Sequence, residues 1–174
     1  MRQRVFNNLE RISEQLDKEY GKIVQKLLAI AFCSMGARRV IERAIQGIDL
    51  EVMLPDGRFI AIEVKTFQGS RFTLNEKDLE GLETQLNGGK DGAYLAVLGP
   101  RRIDELLLFK YSPKEIVAKT YTTVSLDCFR DTDLEDQIRK YFDEAVLLFS
   151  NEALAYRQRG LNRILHNFDC AELA

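Results

Sequence analysis

The segment from Gly47 to Thr66, GIDLEVMLPDGRFIAIEVKT, decides the fold predicted from this sequence. Two apolar runs flank Pro55-Asp56-Gly57, an order of residues that suits a type I turn followed by a left-handed glycine. The segment is therefore predicted to be a β-hairpin with a three-residue loop. Three charged residues interrupt the apolar runs, namely Asp49, Glu63 and Lys65.

The length of the loop fixes which residues face each other across the hairpin. A three-residue loop pairs Leu54 with Arg58 and places Asp49 opposite Glu63. A two-residue turn would pair Leu54 with Phe59 and would put two charges among apolar residues. Because a shift of one residue turns every side chain to the other face, the apolar pattern favours the first register. Its apolar face comprises Ile48, Leu50, Val52, Ile60, Ile62 and Val64.

The charged residues share the opposite face in this register. The β-carbons of Asp49 and Glu63 are expected to lie roughly 5 Å apart, with Lys65 two residues further along the same face. Opposed carboxylates repel each other, and a hard cation such as Mg²⁺, which prefers oxygen ligands, removes that cost. A carboxylate pair on a solvated sheet face, with Lys65 as its ion-pair partner, explains the same pattern. Geometry alone allows both interpretations.

Helical patterns precede the hairpin. Apolar residues recur at steps of three and four from Val5 to Ile30, which predicts one long amphipathic helix or two joined helices. Gly21 is the expected point of a break, and Gly36 suits a C-terminal cap. The sequence RRVIER, residues 38–43, is a strand candidate.

A helix and a buried strand are predicted after the hairpin. Thr73 and Glu76 have the spacing of a capping box, and the helix they open is expected to end at Asn87. The apolar run 92–99 then predicts a strand parallel to the second hairpin strand, because strand–helix–strand connections are right-handed crossovers. Later expectations are a strand or helix at 105–111, a strand at 121–129, a helix from a second capping box at Thr132–Glu135 to Phe149, and a further helix at 152–168.

Composition restricts the function classes. The 174 residues suit a single domain over 1–174, and a net charge of −2 means that any nucleic-acid binding must use a local basic patch. Three separated cysteines without a CxxC pair, and no signal-like or membrane-spanning run, predict a cytoplasmic protein without membrane association. His166 is the only histidine, which argues against Ser-His-Asp or Cys-His catalysis.

Asp49 in GIDLEV and Glu63-Val64-Lys65 in IAIEVKT, together with this order of elements, resemble the PD-(D/E)xK nuclease superfamily. That superfamily includes restriction endonucleases and archaeal Holliday-junction resolvases, and the resemblance covers about residues 21–99. It implies an α/β fold with a restriction-endonuclease-like αβββαβ core and a mixed central sheet, extended by N-terminal and C-terminal helices. Ile48 replaces the motif proline. Gln25 stands four residues after Gly21, where many members carry an acid.

The resemblance implies hydrolysis of phosphodiester bonds in DNA with Mg²⁺ or Mn²⁺ as cofactor. Asp49, Glu63 and the Val64 carbonyl would hold the metal. Lys65 would orient water or stabilise the developing negative charge, and Gln25 would position water or a ligand. No organic cofactor is expected, and a homodimer is expected because cutting both strands of a duplex calls for two sites.

Several basic and polar side chains are candidates for phosphate contacts, although each is equally explained as solvated surface. No motif for reading bases is present, so recognition of DNA structure or backbone is expected. The candidate contacts are Lys22, Arg38, Arg39, Arg43, Ser70, Arg71 and Lys77, with Arg157, Arg159 and Arg163 in the last helix.

Two alternatives to an active nuclease remain. One is an inactive nuclease-fold domain that binds nucleic acid or a protein partner, and the other is an unrelated α/β interaction domain.

Overall fold

The structure is a computed structural model that describes residues 2–43, 48–67, 69–99 and 106–173. The α-helices of this part of the chain are α1 (Arg2–Gln15), α2 (Tyr20–Met35), α3 (Glu76–Asn87) and α4 (Thr132–Leu165). Its strands are β1 (Arg39–Glu42), β2 (Leu50–Met53), β3 (Phe59–Thr66), β4 (Phe72–Leu74), β5 (Gly92–Leu98), β6 (Leu107–Lys110), β7 (Lys119–Tyr121) and β8 (Ala171–Glu172).

Six strands form one mixed sheet in the order β6-β5-β3-β2-β1-β8. β1, β2 and β3 form an antiparallel meander, and β3 pairs with β5 in parallel through the crossover helix α3. β6 pairs antiparallel with β5, and β8 pairs in parallel with β1. β4 and β7 form a separate two-stranded ribbon. The predicted αβββαβ order and the predicted parallel pair are confirmed.

The hairpin has the register expected from its three-residue loop. The Leu54 N–H donates to the Arg58 carbonyl over 2.8 Å, and Leu50 pairs with Ile62. Gly57 has φ 93°, the left-handed conformation that this loop requires and that glycine adopts at little cost.

Each face of the sheet packs against different helices. The predicted apolar face of the hairpin lies in the cluster formed with α1, α2 and α4, while α3 packs on the opposite face against β5 and β6. The hairpin members of the first cluster are Leu50, Val52, Ile60, Ile62 and Val64. Glu63 and Lys65 alternate with these residues and therefore point to the α3 side.

The break between the first two helices lies at Leu16, not at Gly21 as predicted. Leu16 has φ −126° and ψ 36°, and a short 3₁₀ turn over Asp17–Glu19 links α1 to α2. Gly21 lies inside α2, where an added β-carbon would be 3.4 Å from Oγ1 of Thr66. The glycine thus serves a close approach of α2 to the end of β3. Gly36, with φ 94°, caps α2 as expected.

Both predicted capping boxes are displaced. Asn75 caps α3 and exchanges hydrogen bonds with Asp78, whereas Thr73 lies in β4. Asp131 caps α4 by accepting from the Leu134 N–H. Glu135 instead accepts a hydrogen bond of 2.9 Å from the Leu108 N–H, which ties α4 to the β6 edge.

The predicted strand at 121–129 is wrong beyond Tyr121, because residues Val124–Phe129 form a 3₁₀ helix. The Ser125 hydroxyl donates to the Thr122 carbonyl over 2.6 Å and accepts from the Thr122 N–H over 3.1 Å. Such local bonds offer the backbone an alternative to a strand ladder.

The C-terminal segment has two helical parts, as predicted, which are labelled together as α4. The break between them lies at Arg157, where φ is 55° and ψ is −144°, and not between Phe149 and Glu152. Among the described residues, no helix is both long enough and apolar enough to cross a membrane.

Candidate active site at the open end of the hairpin

Asp49 precedes the first paired residue of β2 and is hydrogen-bonded to β3 through both its main chain and its side chain. Its N–H donates to the Ile62 carbonyl over 2.9 Å, and its Oδ2 accepts from the Val64 N–H over 2.9 Å. The paired residues of the ladder end at Leu50 and Ile62. The carboxylate of Asp49 is therefore fixed beside Glu63, as expected from the register, although the two residues are not a regular cross-strand pair.

Glu63 is a buried carboxylate, with 7% of the residue exposed. Burial and the neighbouring negative charge of Asp49 raise the pKa of Glu63 from 4.5 to about 7, although Lys65 opposes the shift. Both effects disfavour the ionised form. The negative charge at this end of the hairpin is therefore only partly compensated by the protein, which favours an added cation.

Lys65 lies between two carboxylates. Its Nζ is 2.9 Å from Oε1 of Glu63 and 2.9 Å from Oδ2 of Asp78. Burial lowers the pKa of Lys65, but the adjacent Glu63 and Asp78 carboxylates outweigh this effect and raise the pKa above its ordinary value. The side chain thus remains an ammonium ion that is held in a fixed position.

Asp78 is a site residue that the sequence analysis missed. It is buried, and its Oδ2 also accepts from the Asn75 N–H over 3.0 Å. Asn75 returns the bond through its Oδ1, which accepts from the Asp78 N–H over 3.0 Å. The signal in the sequence was the Asn75–Asp78 spacing of a capping box, which the Thr73–Glu76 spacing obscured.

Gln25 is a buried amide whose polar atoms all have partners. Its Nε2 donates to the Asp49 backbone carbonyl over 3.2 Å and to Oε1 of Glu42 over 3.4 Å. Its Oε1 accepts from Nζ of Lys22 over 2.8 Å. The residue therefore braces the Asp49 main chain. A glutamate could accept here but could not donate the two bonds.

Lys22 contacts the site directly, although it was predicted only as a phosphate contact. Its Nζ lies 2.8 Å from Oδ1 of Asp49 while it also donates to Gln25. The Lys22 side chain is 53% exposed and the Asp49 side chain is 15% exposed. An exposed ammonium thus caps an almost buried carboxylate.

Lys26 of α2 and Glu42 of β1 form a buried ion pair next to Gln25. Nζ of Lys26 lies 2.9 and 2.8 Å from the two carboxylate oxygens of Glu42, and both residues are buried. Glu42 in turn accepts from Gln25, so the pair is linked to Asp49 through one amide. The sequence pattern gave no indication of this pair, because Lys26 and Glu42 are 16 residues apart.

The residues fit a hard divalent cation by the chemistry of their donor atoms. Asp49 and Glu63 supply carboxylate oxygens next to a strand carbonyl at Val64, which matches the oxygen ligands preferred by Mg²⁺. The structural observation in favour of a cation at this point is that the buried Glu63 lies beside the Asp49 carboxylate, which is bonded to the Val64 N–H. No cluster of three or more His, Cys, Asp or Glu residues suited to a metal occurs in the part of the chain that the structure describes.

The predicted phosphate contacts fall into two groups. Arg38 and Arg39 lie at the loop end of the hairpin beside Met53, at the opposite end of the strands from Asp49. Four arginines of the first group are engaged in ion pairs, as follows: Arg39 with Glu172, Arg43 with Glu51, Arg157 with Glu19 and Arg163 with Glu152. Arg159 is exposed on α4.

The second group is exposed and lies in the connection before β4 or at the start of α3. Ser70 and Arg71 lie between β3 and β4, and Lys77 lies in the first turn of α3. Neither Arg71 nor Lys77 makes an ion pair with any residue inside the described ranges. Lys119 on β7 joins them, with its Nζ 4.9 Å from the centre of the Tyr121 ring. Sequence analysis missed Lys119 because the β4–β7 pairing is not visible in the local pattern.

Comparison with known proteins gives a structural likeness. No protein-family model matches the sequence, and no curated protein matches it. The solved structure of Archaeoglobus fulgidus Hjc, a Holliday junction resolvase from an archaeal hyperthermophile, matches with a TM-score of 0.51. The match covers 67% of this chain and 95% of that chain, at 17% sequence identity. The fold is restriction-endonuclease-like.

Proposed function

We propose that this protein is a nuclease that hydrolyses phosphodiester bonds in DNA with Mg²⁺ or Mn²⁺ as cofactor. One observation carries the proposal: Asp49 is hydrogen-bonded to β3 directly beside Glu63, and Glu63 is paired with Lys65. The two carboxylates supply oxygen ligands and the lysine supplies a positive charge within one short segment. The structural likeness to a Holliday junction resolvase supports the same class of reaction.

The roles of the residues follow from their chemistry. Asp49, Glu63 and the Val64 carbonyl would hold the metal, which when bound polarises the scissile phosphate and lowers the pKa of a coordinated water. The Lys65 ammonium would donate to the attacking water or to a phosphate oxygen as negative charge develops there. Asp78 would keep that ammonium in place, since its Oδ2 lies 2.9 Å from Nζ.

DNA would approach over the surface formed by Ser70, Arg71, Lys77 and Lys119. These side chains are exposed. Lys77 precedes Asp78 in α3, Lys119 pairs with Leu74 just before that helix, and Ser70 and Arg71 lie between β3 and β4. Lysine and arginine bind phosphates irrespective of sequence, so we expect recognition of DNA structure rather than a base sequence. A homodimer would provide the two sites needed to cut both strands.

A second candidate is a nuclease-fold domain that binds nucleic acid without cutting it. The observation in its favour is that Lys22 already neutralises Asp49 while Gln25, a neutral amide, occupies the position of the acid found in many superfamily members. Retained DNA binding without cleavage is the distinguishing property.

The test is a cleavage assay on supercoiled plasmid, single-stranded DNA and a four-way junction, with Mg²⁺, Mn²⁺ or EDTA. We expect metal-dependent cutting by the wild type, lost in Glu63→Gln and lowered at least about a hundredfold in Lys65→Met. Glu80→Gln is the control, because Glu80 is an exposed acid on α3 whose side chain makes no ion pair within the described ranges. Wild-type protein that binds these DNAs but cuts none of them would favour the second candidate.

A further inference from the structure

We propose that Lys22 is a resident counter-ion of the candidate metal site, which a divalent ion must displace from Asp49 in order to bind. The inference rests on the proposed function, since it assigns a metal to Asp49. It goes further by giving α2 a role that opposes metal binding. Lys22 would set the metal concentration at which the site fills.

The hydrogen bonds of Asp49 make Oδ1 the oxygen more open to a metal. Oδ2 accepts from the Val64 N–H at 2.9 Å and is thereby turned toward the backbone of β3. Oδ1 is the remaining oxygen, and the Lys22 ammonium lies 2.8 Å from it. A cation that coordinates Oδ1 would take the place of this ammonium, because two positive charges repel strongly at such short separations.

Gln25 fixes the position of the Lys22 ammonium beside Asp49. Its Oε1 accepts a second proton of the same ammonium at 2.8 Å, so Lys22 is held by two acceptors at once. The amide cannot rotate freely, since its Nε2 donates to the Asp49 carbonyl and to Glu42. Gln25 is 4% exposed, and its position is therefore fixed by packing as well. The α2 helix thus holds an ammonium against Asp49.

Displacement of Lys22 is nonetheless feasible. The Lys22 side chain is 53% exposed and has a flexible four-carbon stem, so its ammonium can move into water. Exposed ion pairs contribute little to stability, which limits the penalty of breaking this one. The expected effect is a shift in metal affinity rather than its abolition.

The test measures Mn²⁺ binding to the full chain by the electron paramagnetic resonance signal of free Mn²⁺, in the absence of DNA. We expect Lys22→Met to bind Mn²⁺ about three- to tenfold more tightly than the wild type, as removal of one nearby positive charge implies. Lys18→Met is the matched control: it makes the same change in net charge, and Lys18 is exposed without an ion pair among the described residues. Its affinity should equal that of the wild type. The Asp49→Asn variant, which lacks the proposed ligand, shows how much of the Mn²⁺ binding occurs at this site.

Two outcomes would overturn the inference in distinguishable ways. If the wild type binds Mn²⁺ through Asp49 and Lys22→Met binds it equally or more weakly, Lys22 is not a competitor and the proposed function stands. If Asp49→Asn binds Mn²⁺ as well as the wild type does, the site is not a metal site and the proposed function fails together with the inference. A cooperative thermal transition of Lys22→Met shows that the comparison is between folded proteins; we expect it somewhat below that of the wild type, because Gln25 Oε1 and Asp49 Oδ1 lose a donor.

Discussion

Oδ2 of Asp78 lies 2.9 Å from Nζ of Lys65 and at the same time accepts the Asn75 N–H of the α3 capping box. One carboxylate thus couples the start of a helix to the central lysine of the candidate site. An Asp78→Asn variant keeps an oxygen for the cap but removes the charge that holds Lys65. We expect kcat for DNA cleavage to fall about tenfold or more with little change in KM, because the contact affects the reacting lysine rather than DNA binding.

The control for this variant is Asp133→Asn, an exposed acid in the first turn of α4. Thermal melting of Asp78→Asn should stay close to the wild type, since the cap oxygen is retained. A rise in KM at constant kcat would contradict a positioning role for Asp78.

The hairpin register could be predicted because two independent signals agree. Pro55-Asp56-Gly57 specifies the loop, and the apolar alternation on both strands excludes a one-residue slip. The same alternation places Glu63 and Lys65 on one face. The prediction was less complete at Asp49, where a side-chain bond to the Val64 N–H replaces a regular strand pair.

We expect Gln25→Glu to destabilise the protein. The substitution removes both donated bonds, and it places a carboxylate where the amide nitrogen now lies 3.4 Å from Oε1 of Glu42. A buried acceptor left without its donor costs about 1–3 kcal/mol. Urea denaturation at neutral pH measures the loss, and Gln137→Glu on the exposed face of α4 is the control. An unchanged or increased free energy of unfolding would show that the amide is not required.

The Glu63 pKa predicts a dependence of stability on pH. In the folded protein, burial and the Asp49 charge raise this pKa from 4.5 to about 7, so between these values the folded state holds a proton that the unfolded state has released. Stability therefore falls as pH rises from about 4.5 to 7. One pKa unit corresponds to ~1.4 kcal/mol. The free energy of unfolding of Glu63→Gln should therefore exceed that of the wild type by up to about 3 kcal/mol more at pH 8 than at pH 4.

This difference is measured by urea denaturation in EDTA, with Glu80→Gln as the control. Comparison of two variants cancels the other titrating groups, which are common to both proteins. An advantage of Glu63→Gln that does not grow with pH would contradict the assigned environment of Glu63.

The Lys26–Glu42 pair predicts a large and partner-dependent loss of stability. Lys26→Met leaves a buried carboxylate without its cation, which costs about 3–5 kcal/mol. The double variant Lys26→Met, Glu42→Leu should be more stable than Lys26→Met alone, because no unpaired charge remains. Equal losses in the single and double variants, measured by urea denaturation, would show that the pair is not coupled.

The elements that could not be predicted are those decided by contacts between distant residues. Thr73 has the spacing of a capping residue, but its hydroxyl lies 3.0 Å from that of Thr120, and the β4–β7 ribbon keeps it extended. Lys22 and Asp49 are 27 residues apart, and their contact depends on how α2 crosses the hairpin. Local periodicity contains no information about either contact.

The central claim is that Asp49 and Glu63 together hold the metal ion with which DNA would be cut. Anomalous diffraction from crystals soaked in Mn²⁺ tests it most directly. The account predicts one anomalous peak coordinated by Oδ1 of Asp49 and a carboxylate oxygen of Glu63, with the Lys22 ammonium displaced. Crystals at high Mn²⁺ concentration with no peak between these two carboxylates, and with Lys22 still bound to Asp49, would contradict it.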